Sequence, residues 1–108
     1  MGKTIGRVGV RGLDIESLPY KIRVYLNNQV LIPARLVRRL GIGDYRYARI
    51  TLKYKGRTET IVAKLLRTRN TFSRQFTIPK NVREKLDIEP GSEVEILAIE
   101  PVYMAEER

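Results

Sequence analysis

One stretch of this chain occurs twice, and its second occurrence limits what the whole can fold into. Gln29-Val-Leu-Ile-Pro-Ala-Arg-Leu-Val-Arg-Arg-Leu-Gly-Ile-Gly43 and Gln75-Phe-Thr-Ile-Pro-Lys-Asn-Val-Arg-Glu-Lys-Leu-Asp-Ile-Glu89 superpose without a gap when the sequence is slid by 46 residues. Gln29 falls on Gln75, Ile32-Pro33 on Ile78-Pro79, Leu40 on Leu86, Ile42 on Ile88 and Ile50 on Ile96. Apolar character matches beyond the identities, with Val30 on Phe76, Leu36 on Val82 and Ala48 on Val94. Two copies are too few for a solenoid, whose repeats bury a core only by stacking in series. In a short chain they more naturally share one core about a pseudo-two-fold axis, as in an isologous dimer whose halves are fused.

Each copy reads the same way locally. Val30 and Ile32, like Phe76 and Ile78, alternate as a half-buried strand requires. The proline then ends the ladder and can open a helix, where its missing N–H is no loss. Leu36 and Leu40, and Val82 and Leu86, are spaced i, i+4 on one helical face. Gly41 or Asp87 stops that helix after about two turns, too short to stand alone. A turn and a second alternating strand follow (Ala48-Ile50-Leu52; Val94-Ile96-Ala98), so the unit is strand, short helix, strand.

The chain has 108 residues, the size of one domain, and we read residues 1–108 as a single domain with repeats at about 21–54 and 67–100. A hydrophobic fraction of 43% is enough for a core. No apolar run approaches the length of a membrane span and no signal-peptide pattern is present, so a cytoplasmic protein without a membrane partner is expected. Cys and His are both absent, which excludes disulfides, zinc sites, thiol nucleophiles and histidine bases. No metal or other cofactor is expected, and no enzymatic activity. A charged fraction of 31% with few Asn and Gln is the composition of a thermophile.

The net charge of +9 is unevenly placed: residues 21–77 hold 14 Lys or Arg against only Asp44 and Glu59. Such a stripe attracts phosphate backbones or other anionic surfaces, whereas a merely solvated surface mixes its signs. Thr4 to Arg11 alternates weakly and reads as an edge strand or lead-in; no Gly-Lys-Ser/Thr follows its glycines, so it is no nucleotide loop. Tyr20 to Leu26 is a strand with Ile22, Val24 and Leu26 on one face, turning at Asn27-Asn28. Glu59 to Arg67 is apolar in part on both faces, which predicts a central strand bridging the halves. Arg67-Thr-Arg-Asn-Thr-Phe-Ser-Arg74 reads as a solvated polar loop, answering in the repeat register to Lys21–Asn28. The last residues, Met104-Ala-Glu-Glu-Arg108, form an acidic tail expected to fray.

At the repeats the chain resembles the AbrB-like (SpoVT/AbrB) domains, whose signature runs Lys-Gly-Gln-Val-Thr-Ile-Pro, a helix with Arg and Leu, Leu-Gly-Ile, then Gly-Asp-x-Val-Glu. Gln75 to Ile88 followed by Pro90-Gly-Ser-Glu-Val-Glu95 carries the match; the first copy keeps Gln29 to Pro33, Arg38-Arg39-Leu40-Gly41-Ile42 and Gly43-Asp44. Asn28 and Arg74 stand where the family has glycine before Gln, Asp87 replaces the glycine of Leu-Gly-Ile, and Ser92 the aspartate of Gly-Asp. The first copy is also two residues shorter before its Gly-Asp. The resemblance implies a mainly β (α+β) fold, a small cradle-loop β-barrel of swapped-hairpin, RIFT or double-psi connectivity. It also implies DNA binding, as in homodimeric transcriptional regulators and antitoxins, with the two copies here replacing the dimer partners in one chain.

Nucleic acid is therefore the expected partner, DNA before RNA. Phosphate neutralisation falls to Lys64, Arg67, Arg69 and Arg74, with Arg23 at the matching point of the other half. Arg35, Arg38 and Arg39 on the first helix are the candidates for groove contacts. Lys80, Arg83 and Lys85 are diluted counterparts beside Glu84 and Asp87. An RNA- or ribosome-associated barrel, or a non-catalytic ligand- or protein-binding cradle-loop module, would use the same residues.

Overall fold

The computed structural model describes residues 15–103; the expected strand at Thr4–Arg11 and the acidic tail from Met104 lie outside them. Among the described residues seven strands form two antiparallel sheets. The larger has the order β1-β7-β3-β4, from β1 (Tyr20–Arg23), β7 (Glu93–Val102), β3 (Tyr47–Tyr54) and β4 (Arg57–Lys64). The smaller has the order β2-β6-β5, from β2 (Gln29–Ile32), β6 (Arg74–Thr77) and β5 (Leu66–Arg67). Two short helices, α1 (Ala34–Leu40) and α2 (Lys80–Leu86), follow β2 and β6. This is the mainly β, α+β architecture the repeat predicts.

Each helix is built as its sequence dictates. Pro33 and Pro79 stand at the N-caps without a side-chain cap, and their carbonyls accept the first helical N–H groups. Gly41 and Asp87 end the helices in the left-handed conformation, with φ 66° and 64°. Ile42 N–H reaches Val37 O and Ile88 N–H reaches Arg83 O, the six-to-one bond of a Schellman cap. Leu36, Val37, Val82 and Leu86 are buried, and both isoleucines before the prolines, Ile32 and Ile78, are fully buried in the same core. The isologous arrangement predicts that sharing.

The halves are intertwined. Val30 pairs with Phe76, Gln29 with Thr77 and Leu31 with Gln75, a register that exchanging the repeats leaves unchanged. Apart from β5 on β6, every strand pairing among the described residues joins a strand before Lys55 to one after it. The Tyr20 hydroxyl donates to Leu31 O at 2.8 Å and ties the sheets together.

Three expectations are corrected. Among the described residues no closed barrel forms: two sheets enclose the core, because the outer strands leave the larger sheet at Val24 and Leu65. There the backbone bonds to turn carbonyls instead of continuing a ladder, Val24 N–H to Ser92 O at 2.9 Å and Leu65 N–H to Arg46 O at 2.7 Å. Second, Glu59–Arg67 is not a central strand. Among the described residues it is β4, an edge that pairs only with β3, then β5, the edge of the other sheet. Its bridging role survives in the bend at Leu65, while Val62 remains 48% exposed. Third, Leu26 lies off the buried face, at 88% exposure, because β1 has ended and the chain is already turning.

The turn is the expected tight one. Asn28 takes φ 64°, its N–H reaches Tyr25 O, and Tyr25 N–H reaches Gln29 O.

Candidate nucleic-acid interface

The register at Val24 and Leu65 relocates the basic segment. Ser92 is the repeat partner of Arg46, so Val24 and Leu65, which donate to them, occupy equivalent places. The offset there is 41, against 46 from Gln29 onward, so the second half carries five more residues between outer strand and repeat. Arg67–Arg74 therefore does not answer to Lys21–Asn28. The equivalent of Arg23 is Lys64, and most of Arg67–Arg74 is an extension of the hairpin that the first half closes with Leu26-Asn27-Asn28.

That extension is folded. Leu66 pairs with Gln75 and Arg67 with Arg74, and Asn70 takes the left-handed conformation at φ 61°. The hydroxyls of Thr68, Thr71 and Ser73 are mutually hydrogen-bonded, and Ser73 N–H donates to Thr71 Oγ1 at 3.1 Å. Arg67 and Arg69 are exposed.

Arg74 departs from its expected place in solvent. It is 2% exposed, because it shares the inward parity of Phe76 and Ile78 along β6. Its Nη1 donates to Phe72 O at 2.8 Å and Ser73 O at 3.0 Å, and its Nη2 to Gly43 O at 2.9 Å. Burial lowers its pKa; the like charge of Arg67 lowers it further, and Asp44 acts in the opposite direction. The guanidinium lies over the Phe72 ring, 4.8 Å from its centroid.

The same ring brings in α1. The Arg38 guanidinium is 4.7 Å from the Phe72 centroid, and the ring rests against Gly43 in the turn after α1. Arg35 and Arg39 share one carboxylate, Glu16, at 3.0 and 3.7 Å. Three of the eight sequence candidates thus meet at one corner, Arg38, Arg67 and the buried Arg74, and Arg69 is exposed on the same extension. Arg35 and Arg39 extend the corner along α1, and Lys64 is exposed on β4 just before the extension. Arg23 lies apart, where its Nη1 donates to Gly91 O at 2.9 Å beside the turn after α2.

The basic groups of α2 are each engaged. Lys85 is 2.9 Å from Glu59, Lys80 is 4.0 Å from Glu84, and Arg83 Nε donates to Ile78 O at 3.0 Å. Sequence reasoning missed Phe72 and Gly43 at the other corner. The signal was present for the ring, since the strand period running back from Ile78 through Phe76 and Arg74 reaches Phe72.

Among the described residues no helix is long and apolar enough to cross a membrane, and no group of three acids is placed to hold a metal ion. Residues 68–101 match a family model described as antidote-toxin recognition MazE, bacterial antitoxin. That segment runs from the extension through β6 and α2 into β7. The chain also resembles the solution structure of PHS018 from Pyrococcus horikoshii, at 24% identity and a TM-score of 0.55, over 84% of this chain and 99% of that one. That likeness is one of fold. No curated protein matches the chain.

Proposed function

We propose that this chain is a non-catalytic, duplex DNA-binding protein, one domain made of two fused AbrB-like copies, whose α1 and hairpin extension face the duplex together. The observation that carries this reading is the junction at Phe72, where the basic face of α1 and the arginine-bearing extension are fixed side by side. Arg67, Arg69 and Lys64 neutralise phosphates, the term that dominates affinity and carries no sequence information. Arg35, Arg38 and Arg39, on the adjoining helix, would reach the groove or its rims. Arg23, beside the other turn, contributes only through the general field. The match of residues 68–101 to an antitoxin family and the resemblance of both repeats to AbrB-like domains support a regulatory role in the cytoplasm.

A competition assay at fixed salt tests the reading, with labelled duplex DNA challenged by unlabelled duplex and by structured RNA of equal length. Preferential displacement by duplex DNA is expected. Preferential displacement by RNA would replace this function with the RNA-associated one, and absence of binding at low salt would remove both.

A further inference from the structure

The extension belongs to only one half, and its attachment is unlike anything in the other. We infer that Gly43 and Arg74 are positioning residues: they fasten the 67–74 extension to the turn after α1, so that Arg67, Arg69 and the α1 arginines form one preset binding surface. The inference rests on the nucleic-acid reading above and adds to it the device that assembles the surface.

Three features point to this. Arg74 spends its donors on main-chain carbonyls from both sides of the junction, Phe72 and Ser73 on the extension and Gly43 on the turn. A guanidinium so engaged and 2% exposed cannot also contact a phosphate. Next, the Phe72 ring closes on Gly43 so tightly that a Cβ there would lie 2.6 Å from ring atom Cζ. Gly43 does not have the positive φ of Gly41, Gly56 and Gly91, so it is the ring and not the backbone that requires glycine. Finally, the ring lies under both Arg38 and Arg74, so its position also sets that of an α1 guanidinium. Phe72 keeps 37% of its surface exposed while it spaces the two guanidinium groups.

Gly43→Ala is the discriminating change, because it removes no charge and obstructs only the end of a movable side chain. It is compared with Phe72→Ala, the double variant and Arg74→Lys, which keeps the charge but loses the fork. Amide hydrogen exchange over residues 67–74 is followed without ligand, together with duplex affinity across a salt series and the urea midpoint. Gly43→Ala is expected to speed exchange in the extension and weaken duplex binding about tenfold, with a shallower salt slope as Arg67 and Arg69 leave the surface. The urea midpoint should hold. In the Phe72→Ala background the same change should add nothing, and Arg74→Lys should resemble Gly43→Ala in exchange and affinity, though not in the urea midpoint.

Unchanged exchange and affinity in Gly43→Ala would overturn the inference, as would losses that simply multiply in the double variant. So would full binding by Arg74→Lys, which would make Arg74 a plain source of charge. A wild-type chain that binds no duplex would instead refute the proposed function, and hydrogen exchange alone would then decide whether Gly43 and Arg74 hold the extension.

Discussion

The ammonium group of Lys85 lies 2.9 Å from the carboxylate of Glu59, so the last turn of α2 is paired with the outer strand that crosses beside it. Arg57 reinforces the contact by donating to Lys85 O at 2.6 Å. On α1 the corresponding turn carries Arg38 and Arg39, one over a ring and the other sharing Glu16 with Arg35. Exposed ion pairs contribute little to stability, yet each cancels a charge that a phosphate would otherwise feel. Two helices alike in backbone should therefore differ as DNA-binding elements. Arg38→Glu with Arg39→Glu is expected to weaken duplex binding by about tenfold or more, and Lys80→Glu with Lys85→Glu by clearly less. Fluorescence anisotropy at a common salt concentration decides it, and equal losses would make the two halves equivalent.

The arginines of the extension divide into two kinds, and stability measurements should separate them. Arg67→Ala with Arg69→Ala is expected to leave the urea midpoint in place and to reduce the salt slope by up to about two phosphate contacts. Arg74→Ala is expected to lower stability by about 1–3 kcal/mol, because three carbonyls lose their donor and the inner end of β6 loses its packing. If all three substitutions behave alike in urea, the burial of Arg74 does not matter energetically.

Asp87 holds a left-handed conformation at φ 64° where its repeat partner is Gly41. A side chain there is strained, and a carboxylate at a helix C-terminus also opposes the helix dipole. The exposed contact with Lys55, at 4.0 Å, offsets little of this. Asp87→Gly is expected to raise stability by about 0.5–1 kcal/mol, measured by chemical denaturation. A loss of stability would show that the contact with Lys55 outweighs the backbone term.

Burial pushes the pKa of Tyr20 above that of a free phenol, and its hydroxyl is the donor that joins the sheets. A pKa raised on folding means that the native state holds the proton more tightly than the unfolded chain. The contribution of Tyr20 is thus complete below the unfolded value, about pH 10, and is lost as pH climbs beyond it. Thermal melts from neutral to strongly alkaline pH should show Tyr20→Phe less stable than wild type at neutrality and less sensitive to alkali. Parallel curves would rule out Tyr20 as a source of alkaline instability.

Much of this architecture is legible in the repeat because backbone needs are local. Pro33 and Pro79 mark where strand becomes helix, and the 3.6-residue spacing of Leu36 and Leu40 names the buried face. Asn28 supplies the positive φ that its turn demands. What escapes the sequence depends on partners distant along the chain. Arg74 reads as a solvated loop charge until the Gly43 carbonyl, 31 residues earlier, is seen to accept from it. The edge position of β4 is hidden because Val62, with Leu66 just beyond it in β5, lends the segment's outer face an apolar look. The five extra residues of the second half are concealed by the 46-residue offset itself, which aligns Arg67 with Lys21, whereas hydrogen bonding aligns Leu65 with Val24. All eight basic candidates can be named from the sequence, but only three dimensions separate Arg23, at the other turn, from the cluster around Phe72.

The pairing of strands across Lys55 has a consequence for how many molecules one folded unit contains. The link between the halves is a hairpin whose central residues, Lys55 and Gly56, both have positive φ, at 51° and 77°. That is the backbone of a type I′ turn, which a β-branched residue does not tolerate. Because the sheets are built almost entirely between halves, a chain denied this turn loses few contacts if each half closes on the complementary half of a second molecule. Gly56→Val should therefore favour domain exchange between two chains with the same ladders, visible in light scattering as twice the mass of the wild-type particle; an unchanged mass with lowered stability at all concentrations would count against it. On this view the glycine at the tip of β3 and β4 keeps a pairing scheme that works equally well between chains confined to one.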